Sequence, residues 1–159
     1  MSRNKELVKD GGEWIKDGGY VDFTARSSNT VKALTKYFAT GVNLDRVTVS
    51  SDAGGSSPSY DANGVLIRYK CIESDSMVWL LKKLHLDLQW PLHRALPLFS
   101  RNAAEILKFT SKGQVKLGFD ADILLMTSEL DIEYVFAKGQ MMKGPGFLKG
   151  GMFEVIDDV

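Results

Sequence analysis

The order of helical and strand patterns in the first fifty residues constrains the fold more than any other feature. Four elements alternate with short connections: a helix over 4–17, a strand over 20–24, a helix that Ser28 or Asn29 can cap, and a strand over 47–49. Gly18-Gly19 ends the first helix, and Gly41 stands where the left-handed residue after the second helix belongs. This order favours parallel strands joined by crossover helices.

The same alternation is the repeating unit of a βα barrel. A complete barrel takes eight such units and roughly 250 residues, whereas this chain has 159 residues and only two strands of this kind. We therefore expect an α/β fold that contains part of a barrel. A carboxylate where a barrel strand meets its loop lies on the catalytic face, and Asp52 occupies such a position after the second strand.

The rest of the chain is predicted to add a hairpin, more helices and a β layer. Residues 53–58 are predicted to be a loop, and Asn63-Gly64 is typical of a two-residue hairpin turn. Helical patterns return in three places: from residue 73, from Pro91 and over 102–109. After Gly113 the patterns favour strands near Val115 and Leu117, over 123–126 and 132–137, and at edges over 141–142 and 153–156, with Gly139-Gln140 as a tight turn.

The overall composition restricts the expected partners. Twenty basic residues balance twenty acidic ones, which argues against a nucleic-acid groove or an anionic membrane as the main partner. No apolar run approaches the ~20 residues of a membrane helix, and the charged first ten residues contain no apolar secretory segment. Cys71 is the single cysteine, which excludes an internal disulfide and fits a reducing cytoplasm.

The last third of the chain carries a recognisable motif. A helix with Asn102-Ala103-Ala104 leads to Lys112-Gly113-Gln114-Val115 and then, over 118–124, to Gly-Phe-Asp-Ala-Asp-Ile-Leu. This order resembles the end of metal-dependent amidohydrolases, in which N-x-A precedes a K-G-x-I-x-x-G-x-D-A-D run. The resemblance implies the C-terminal βα units of a TIM-type barrel over 1–112 and a small β-sandwich extension over 113–159, completed by N-terminal strands.

Two further stretches resemble the isoaspartyl dipeptidases of that superfamily. Residues 47–56, VTVSSDAGGS, match a strand-end aspartate followed by a glycine-rich turn and a serine, although Ala53 stands where a glycine is more usual. Arg3-Asn4 and the segment over 18–24 resemble the region after the family's sixth strand. The histidine expected three positions before Arg3 is absent, and so are the family's H-x-H pair, its bridging lysine carbamate and its other metal histidine.

The resemblance implies a zinc-dependent enzyme that hydrolyses β-aspartyl (isoaspartyl) dipeptides. Two zinc ions in the intact enzyme polarise the attacking water and the peptide carbonyl, and Asp52 would move a proton from that water to the leaving amine. Arg3 would form a bidentate ion pair with a substrate carboxylate, and Ser56 would hydrogen-bond the same end of the substrate. Plainer alternatives stay open: an aspartate that orders its loop, an exposed terminal arginine and a turn serine.

Most of the family's metal ligands are absent and Asp52 would offer a single contact to a metal ion, so we expect weak or no zinc binding and no peptidase activity from this chain alone. His85 and His93 match no family ligand and are expected to be surface or partly packed residues, while Asp120 and Asp122 are interpreted as turn residues. The expected partner is a missing N-terminal half or further copies in a homo-oligomer.

The sequence is also compatible with two other functions. The tail motif fits a dihydroorotase-like or deacetylase-like amidohydrolase equally well, and the stretch over 47–56 together with Arg3-Asn4 favours the dipeptidase. A non-catalytic interaction module is the third possibility, because uncovered strand edges and apolar helix faces favour association.

Overall fold

The computed structural model describes residues 4–25, 27–72 and 74–149. Its helices are α1 (Lys5–Lys16), α2 (Ser28–Ala39), α3 (Ser76–Lys82), α4 (Leu92–Ala95) and α5 (Arg101–Ile106). Its strands are β1 (Val21–Thr24), β2 (Val47–Ser50), β3 (Ser56–Tyr60), β4 (Leu66–Cys71), β5 (Ile123–Met126), β6 (Ile132–Ala137), β7 (Gln140–Gly144) and β8 (Phe147–Leu148). Short 3-10 or π turns lie at Leu44–Arg46, Lys83–Asp87 and Leu96–Phe99.

The first four elements follow the predicted order, and β1 and β2 are parallel. Asn4 caps α1 by accepting a 2.8 Å hydrogen bond from the main-chain N–H of Glu6. The predicted cap of α2 is wrong by at least one residue, because Ser27 is the N-cap and makes no side-chain capping bond. Gly41 has a φ of 70°, which agrees with a left-handed residue after α2.

A hydrophobic core lies between one face of the parallel pair and the helices. Val21, Phe23, Val47 and Val49 supply the strand side of this core, and the fully buried helix residues include Leu34, Leu80, Leu84 and Leu98. Alternate residues of each strand point into the core, as the period of two requires. Within the described ranges the result is a mixed α/β arrangement with an open two-stranded sheet, and no closed barrel is present.

The hairpin of β3 and β4 corrects two expectations. Residues 56–58 belong to β3 rather than to a loop, because they pair with 69–71 of β4. The turn has three loop residues, 62–64, rather than two, since the N–H of Asp61 donates to the carbonyl of Val65. The Asp61 carboxylate accepts from the N–H groups of Asn63 and Val65, which favours this longer turn.

Strands β5 to β8 form an antiparallel sheet in chain order. The strand predicted near Val115 and Leu117 is not formed: the two side chains are 89% and 101% exposed, and no described strand pairs with this segment. The tight turn consists of Lys138 and Gly139, both with positive φ, so Gln140 already belongs to β7. The edge strand predicted over 153–156 lies outside the described residues.

Lys112 joins the two aspartates of the D-A-D run. Its Nζ lies 2.9 Å from Asp120 and also pairs with Asp122. The hydrogen bond from Lys112 is the largest cause that lowers the pKa of Asp122, and the bond from the N–H of Lys138 is the next. In turn, the hydrogen bond to Asp122, followed by the bond to Asp120, raises the pKa of Lys112. The aspartates lie outside regular secondary structure, as expected, and the ion pairs close the loop over 113–119.

Candidate active site at the carboxyl ends of the parallel strands

Asp52 lies two residues beyond the last residue of β2, at the carboxyl end of the parallel pair. Its side chain is exposed, and its φ of 58° falls in the left-handed region. Aspartate tolerates this region better than most residues, and non-glycine residues held there are often found at functional sites. The strand-end position expected for a catalytic carboxylate is therefore the position observed, and its role remains a prediction.

The turn after Asp52 brings main chain very close to that residue. The N–H of Gly55 donates to the Asp52 carbonyl at 3.2 Å, and a Cβ added to Gly55 would lie 3.0 Å from the same oxygen. A glycine at position 55 therefore permits the close approach. Ala53 does not have a positive φ and is exposed, so an alanine fits where the family more often has a glycine.

Of the other two predicted site residues, Ser56 is among the described residues and Arg3 is not. Ser56 is exposed and is the first residue of β3, opposite Cys71 at the base of the hairpin. It follows Asp52 by four residues, so both lie where β2 passes into the hairpin. Arg3 lies outside the described residues.

Asp22 is a polar residue of this region to which sequence analysis assigned no role. Its two carboxylate oxygens accept hydrogen bonds from the hydroxyls of Thr48 and Ser50, at 2.7 Å and 2.6 Å. All three side chains lie on the face of the β1–β2 pair that is opposite the core. The alternation of apolar and polar residues in VDFT and VTVS was the available signal, but only the parallel register brings the polar residues together.

A cleft of about 590 Å³ opens beside the hairpin at the same end of β1. Ala25, which follows β1, forms part of its floor, and the walls include Ser57, Lys70, Asp75 and Trp79. Among the described residues, the lining of the cleft thus includes hydroxyls, a cation, a carboxylate and an indole. Such a mixture is typical of sites for small polar molecules.

The described part of the chain contains no group of three His, Cys, Asp or Glu residues arranged to hold a metal ion. His85 is partly buried, with Nδ1 2.7 Å from the carbonyl oxygen of Trp90, and His93 is exposed on α4. Both positions agree with the expectation that the histidines are surface or partly packed residues. The described residues therefore do not fit a complete zinc site.

Comparison with solved structures gives a match over almost the whole chain. A beta-aspartyl dipeptidase from the thermophilic, keratin-degrading Fervidobacterium islandicum AW-1, in complex with a beta-Asp-Leu dipeptide, is 32% identical with a TM-score of 0.84, and the match covers 97% of this chain. The resemblance to the beta-aspartyl dipeptidases of the amidohydrolase superfamily is confirmed. A second structure of a beta-aspartyl dipeptidase from that organism is 29% identical over 97% of this chain, with a TM-score of 0.79.

This dipeptidase-like chain spans only part of those relatives, 41% and 39% of their respective lengths. An N-acetylglucosamine-6-phosphate deacetylase from Pasteurella multocida shares the fold alone: it is 16% identical with a TM-score of 0.60, over 79% of this chain and 37% of that one. No protein-family model matches the sequence. Among the described residues, no helix is both long enough and apolar enough to cross a membrane.

Proposed function

We propose that this chain supplies the last βα units of a TIM-type barrel and a small β-sandwich extension to a zinc-dependent hydrolase. The proposed substrates are β-aspartyl (isoaspartyl) dipeptides, and the proposed location is the cytoplasm. One observation carries the proposal: Asp52 follows the carboxyl end of the parallel strand β2 by two residues, in a chain of which 97% matches a beta-aspartyl dipeptidase. The strand-end position is where barrel enzymes place their catalytic groups.

Asp52 is the proton carrier in this proposal. Its carboxylate accepts a proton from the attacking water, and the resulting carboxylic acid returns that proton to the nitrogen of the leaving amine. The exposure of Asp52 at the strand end makes it accessible to a substrate. Ser56, four residues further along, hydrogen-bonds the substrate at the base of the hairpin, and Arg3 pairs with a substrate carboxylate.

The zinc ions belong to the assembled enzyme in this proposal, rather than to this chain alone. A zinc site needs several His, Cys or carboxylate ligands around one ion, and the described residues offer no group of three. When bound, zinc would polarise the water and the peptide carbonyl. We propose that the ligands come from a missing N-terminal half, in a longer chain or as a separate partner, or from further copies of this chain in a homo-oligomer.

A complementation assay tests the proposal. The chain is purified alone, and it is also co-expressed with the part of the Fervidobacterium enzyme that it does not match. We expect little bound zinc and no cleavage of β-Asp-Leu by the chain alone, but zinc-dependent cleavage by the co-purified pair. Asp52→Asn in the pair should lower kcat by roughly 10²- to 10⁴-fold, whereas Asp61→Asn, at the tip of the hairpin, should leave kcat near the parent value.

Other outcomes distinguish the remaining possibilities. Cleavage by the zinc-loaded chain alone would contradict the proposed need for a second half. Release of acetate from N-acetylglucosamine-6-phosphate, with no dipeptide cleavage, would favour the deacetylase-like alternative that the shared fold leaves open. A stable pair without either activity would support a non-catalytic module, for which the nearly complete exposure of Val115 and Leu117 is the favouring observation.

A further inference from the structure

Asn102, the second residue of α5, is completely buried, with 0% of its surface exposed. Its side-chain Nδ2 donates hydrogen bonds to the main-chain carbonyls of Leu44 and Val47, both at 2.7 Å. These carbonyls stand at the start and just past the end of the 3-10 turn that leads into β2. α5 therefore holds the beginning of the strand whose other end leads to Asp52.

The two hydrogen bonds define which chemical group position 102 requires. A primary amide has two N–H donors, so one side chain can serve both carbonyls, whereas a hydroxyl has one donor and a carboxylate has none. The carbonyl of Leu44 also accepts from the N–H of Val47. The amide nitrogen of Asn102 thus donates to two buried carbonyls where the turn becomes a strand, and a side chain with fewer donors could not replace both contacts.

Two neighbouring contacts keep α5 in place against this turn. The guanidinium of Arg101 pairs with Asp45, inside the 3-10 turn, and its Nε lies 3.6 Å from the carboxylate of Glu105. On another side, Gly113 packs so closely on α5 that an added Cβ would lie 3.0 Å from the Cα of Arg101. The helix is therefore a fixed support rather than a loosely attached one.

We propose that Asn102 is a positioning residue for Asp52, because its amide fixes the entry into β2 and the strand carries that placement to the turn. The strand has only four residues, Val47–Ser50, and each advances the chain by about 3.3 Å. Among the described strands only β1 pairs with β2, so the ladder supports it on one side. The catalytic role of Asp52 rests on the proposed function, whereas the placement of β2 by Asn102 does not.

Amide hydrogen exchange on the full chain tests this proposal. In Asn102→Ala, the amides of 47–50 and the N–H of Ala25, which donates to the Ser50 carbonyl, should exchange roughly tenfold faster relative to those of β5–β7. Asn102→Asp should accelerate exchange of these amides more than Asn102→Ala does, because a carboxylate would face two carbonyl oxygens. The matched control, Val8→Ala, removes buried apolar surface away from the turn and should accelerate exchange without a preference for β2.

An equal acceleration in all sheets of Asn102→Ala would overturn the proposal and assign Asn102 to general stability. If the variants do not fold, the unmodified chain decides the matter through its side-chain amide protons. Those of Asn102 should exchange at least about tenfold more slowly than those of Asn63, in the exposed hairpin turn, and equal rates would overturn the proposal. Neither result depends on catalysis, so missing dipeptidase activity in the assembled protein would count against the proposed function alone.

Discussion

The hydroxyl of Ser50 donates a 2.6 Å hydrogen bond to the carboxylate of Asp22, from β2 to the neighbouring parallel strand β1. Thr48 donates to the other oxygen of the same carboxylate at 2.7 Å. One acidic side chain therefore joins the two strands through groups other than the main chain. The contact lies next to the candidate site, because Asp52 follows Ser50 by two residues.

Removal of this carboxylate should weaken the parallel pair. We expect Asp22→Ala to lower the free energy of unfolding by about 1 kcal/mol, because two hydroxyls lose their acceptor and one belongs to Thr48, which is only 9% exposed. Denaturant titration measures the change. Asp10→Ala, on the exposed surface of α1, is the control and should change stability little; equal losses in the two variants would show that the Asp22 bonds contribute nothing.

The glycine after Lys112 should tolerate substitution poorly. Gly113 has a φ of 83°, and an added Cβ would lie 2.7 Å from the Cβ of Ala104. Gly118 has a nearly equal φ of 85° with no neighbouring atom within 4 Å. Gly118→Ala should therefore cost only the left-handed strain of roughly 1–2 kcal/mol, and Gly113→Ala should cost clearly more in thermal or denaturant unfolding. Equal costs would contradict tight packing of Gly113 on α5.

The Lys112 ion pairs should make stability depend on pH in a defined direction. Because Lys112 and the Lys138 N–H lower the pKa of Asp122, the stabilisation is present at neutral pH and is lost as pH falls from about 4 through the lowered pKa. The raised pKa of Lys112 adds a loss only at strongly alkaline pH. Lys112→Gln should thus reduce the unfolding midpoint at pH 7 and differ little from the parent in strong acid.

Salt provides an independent check on the same residue. Because the paired side chains are 31–39% exposed, high salt should narrow the difference in unfolding midpoint between Lys112→Gln and the parent at pH 7. Lys9→Gln, on exposed α1, is the control for removal of one positive charge. A Lys112→Gln defect that persists unchanged in acid and in high salt would rule out an electrostatic origin.

The buried hydroxyl of Tyr37 should contribute to an alkaline loss of stability. It donates a 2.7 Å hydrogen bond to the carbonyl of Val8, and burial raises its pKa. The unfolded chain ionises this group at about pH 10, whereas the folded chain retains the proton, so its contribution is lost as pH rises from there through the raised pKa.

Tyr37→Phe should therefore cost about 1 kcal/mol at neutral pH and show a smaller decline above about pH 10. Unfolding midpoints measured from pH 7 upward test both parts. Tyr60→Phe, on the exposed hairpin, should preserve the alkaline decline of the parent. An unchanged decline in Tyr37→Phe would mean that other groups cause it.

Sequence patterns predicted the first four elements because residues within each element determine it, as the apolar spacing of α1 and the β-branched run of β2 do. They failed where a distant partner decides the structure. Residues 56–58 become strand only because 69–71 pair with them, and the β-forming side chains near Val115 remain outside strands because no described strand pairs with that segment.

The candidate site likewise contains features that sequence could predict and features that depend on distant partners. The strand-end position of Asp52 could be predicted, since it depends on where one strand stops. The role of Asp22 could not, because Thr48 and Ser50 reach its carboxylate only through the parallel register. The ion pair between Lys112 and Asp122 joins residues ten positions apart in irregular chain, so helical or strand periodicity could not predict it either. The division of the chain at residues 112 and 113 stays a prediction.

The bond from Asn102 to Val47 also has a consequence for how the chain is made. The two residues are 55 positions apart, and a ribosome adds roughly 5–20 residues per second. The entry into β2 must therefore wait some seconds after its own synthesis before its buried carbonyl meets the amide. During that interval the nascent strand lacks the support of α5, so the second half of the chain, rather than the first, completes the placement of β2.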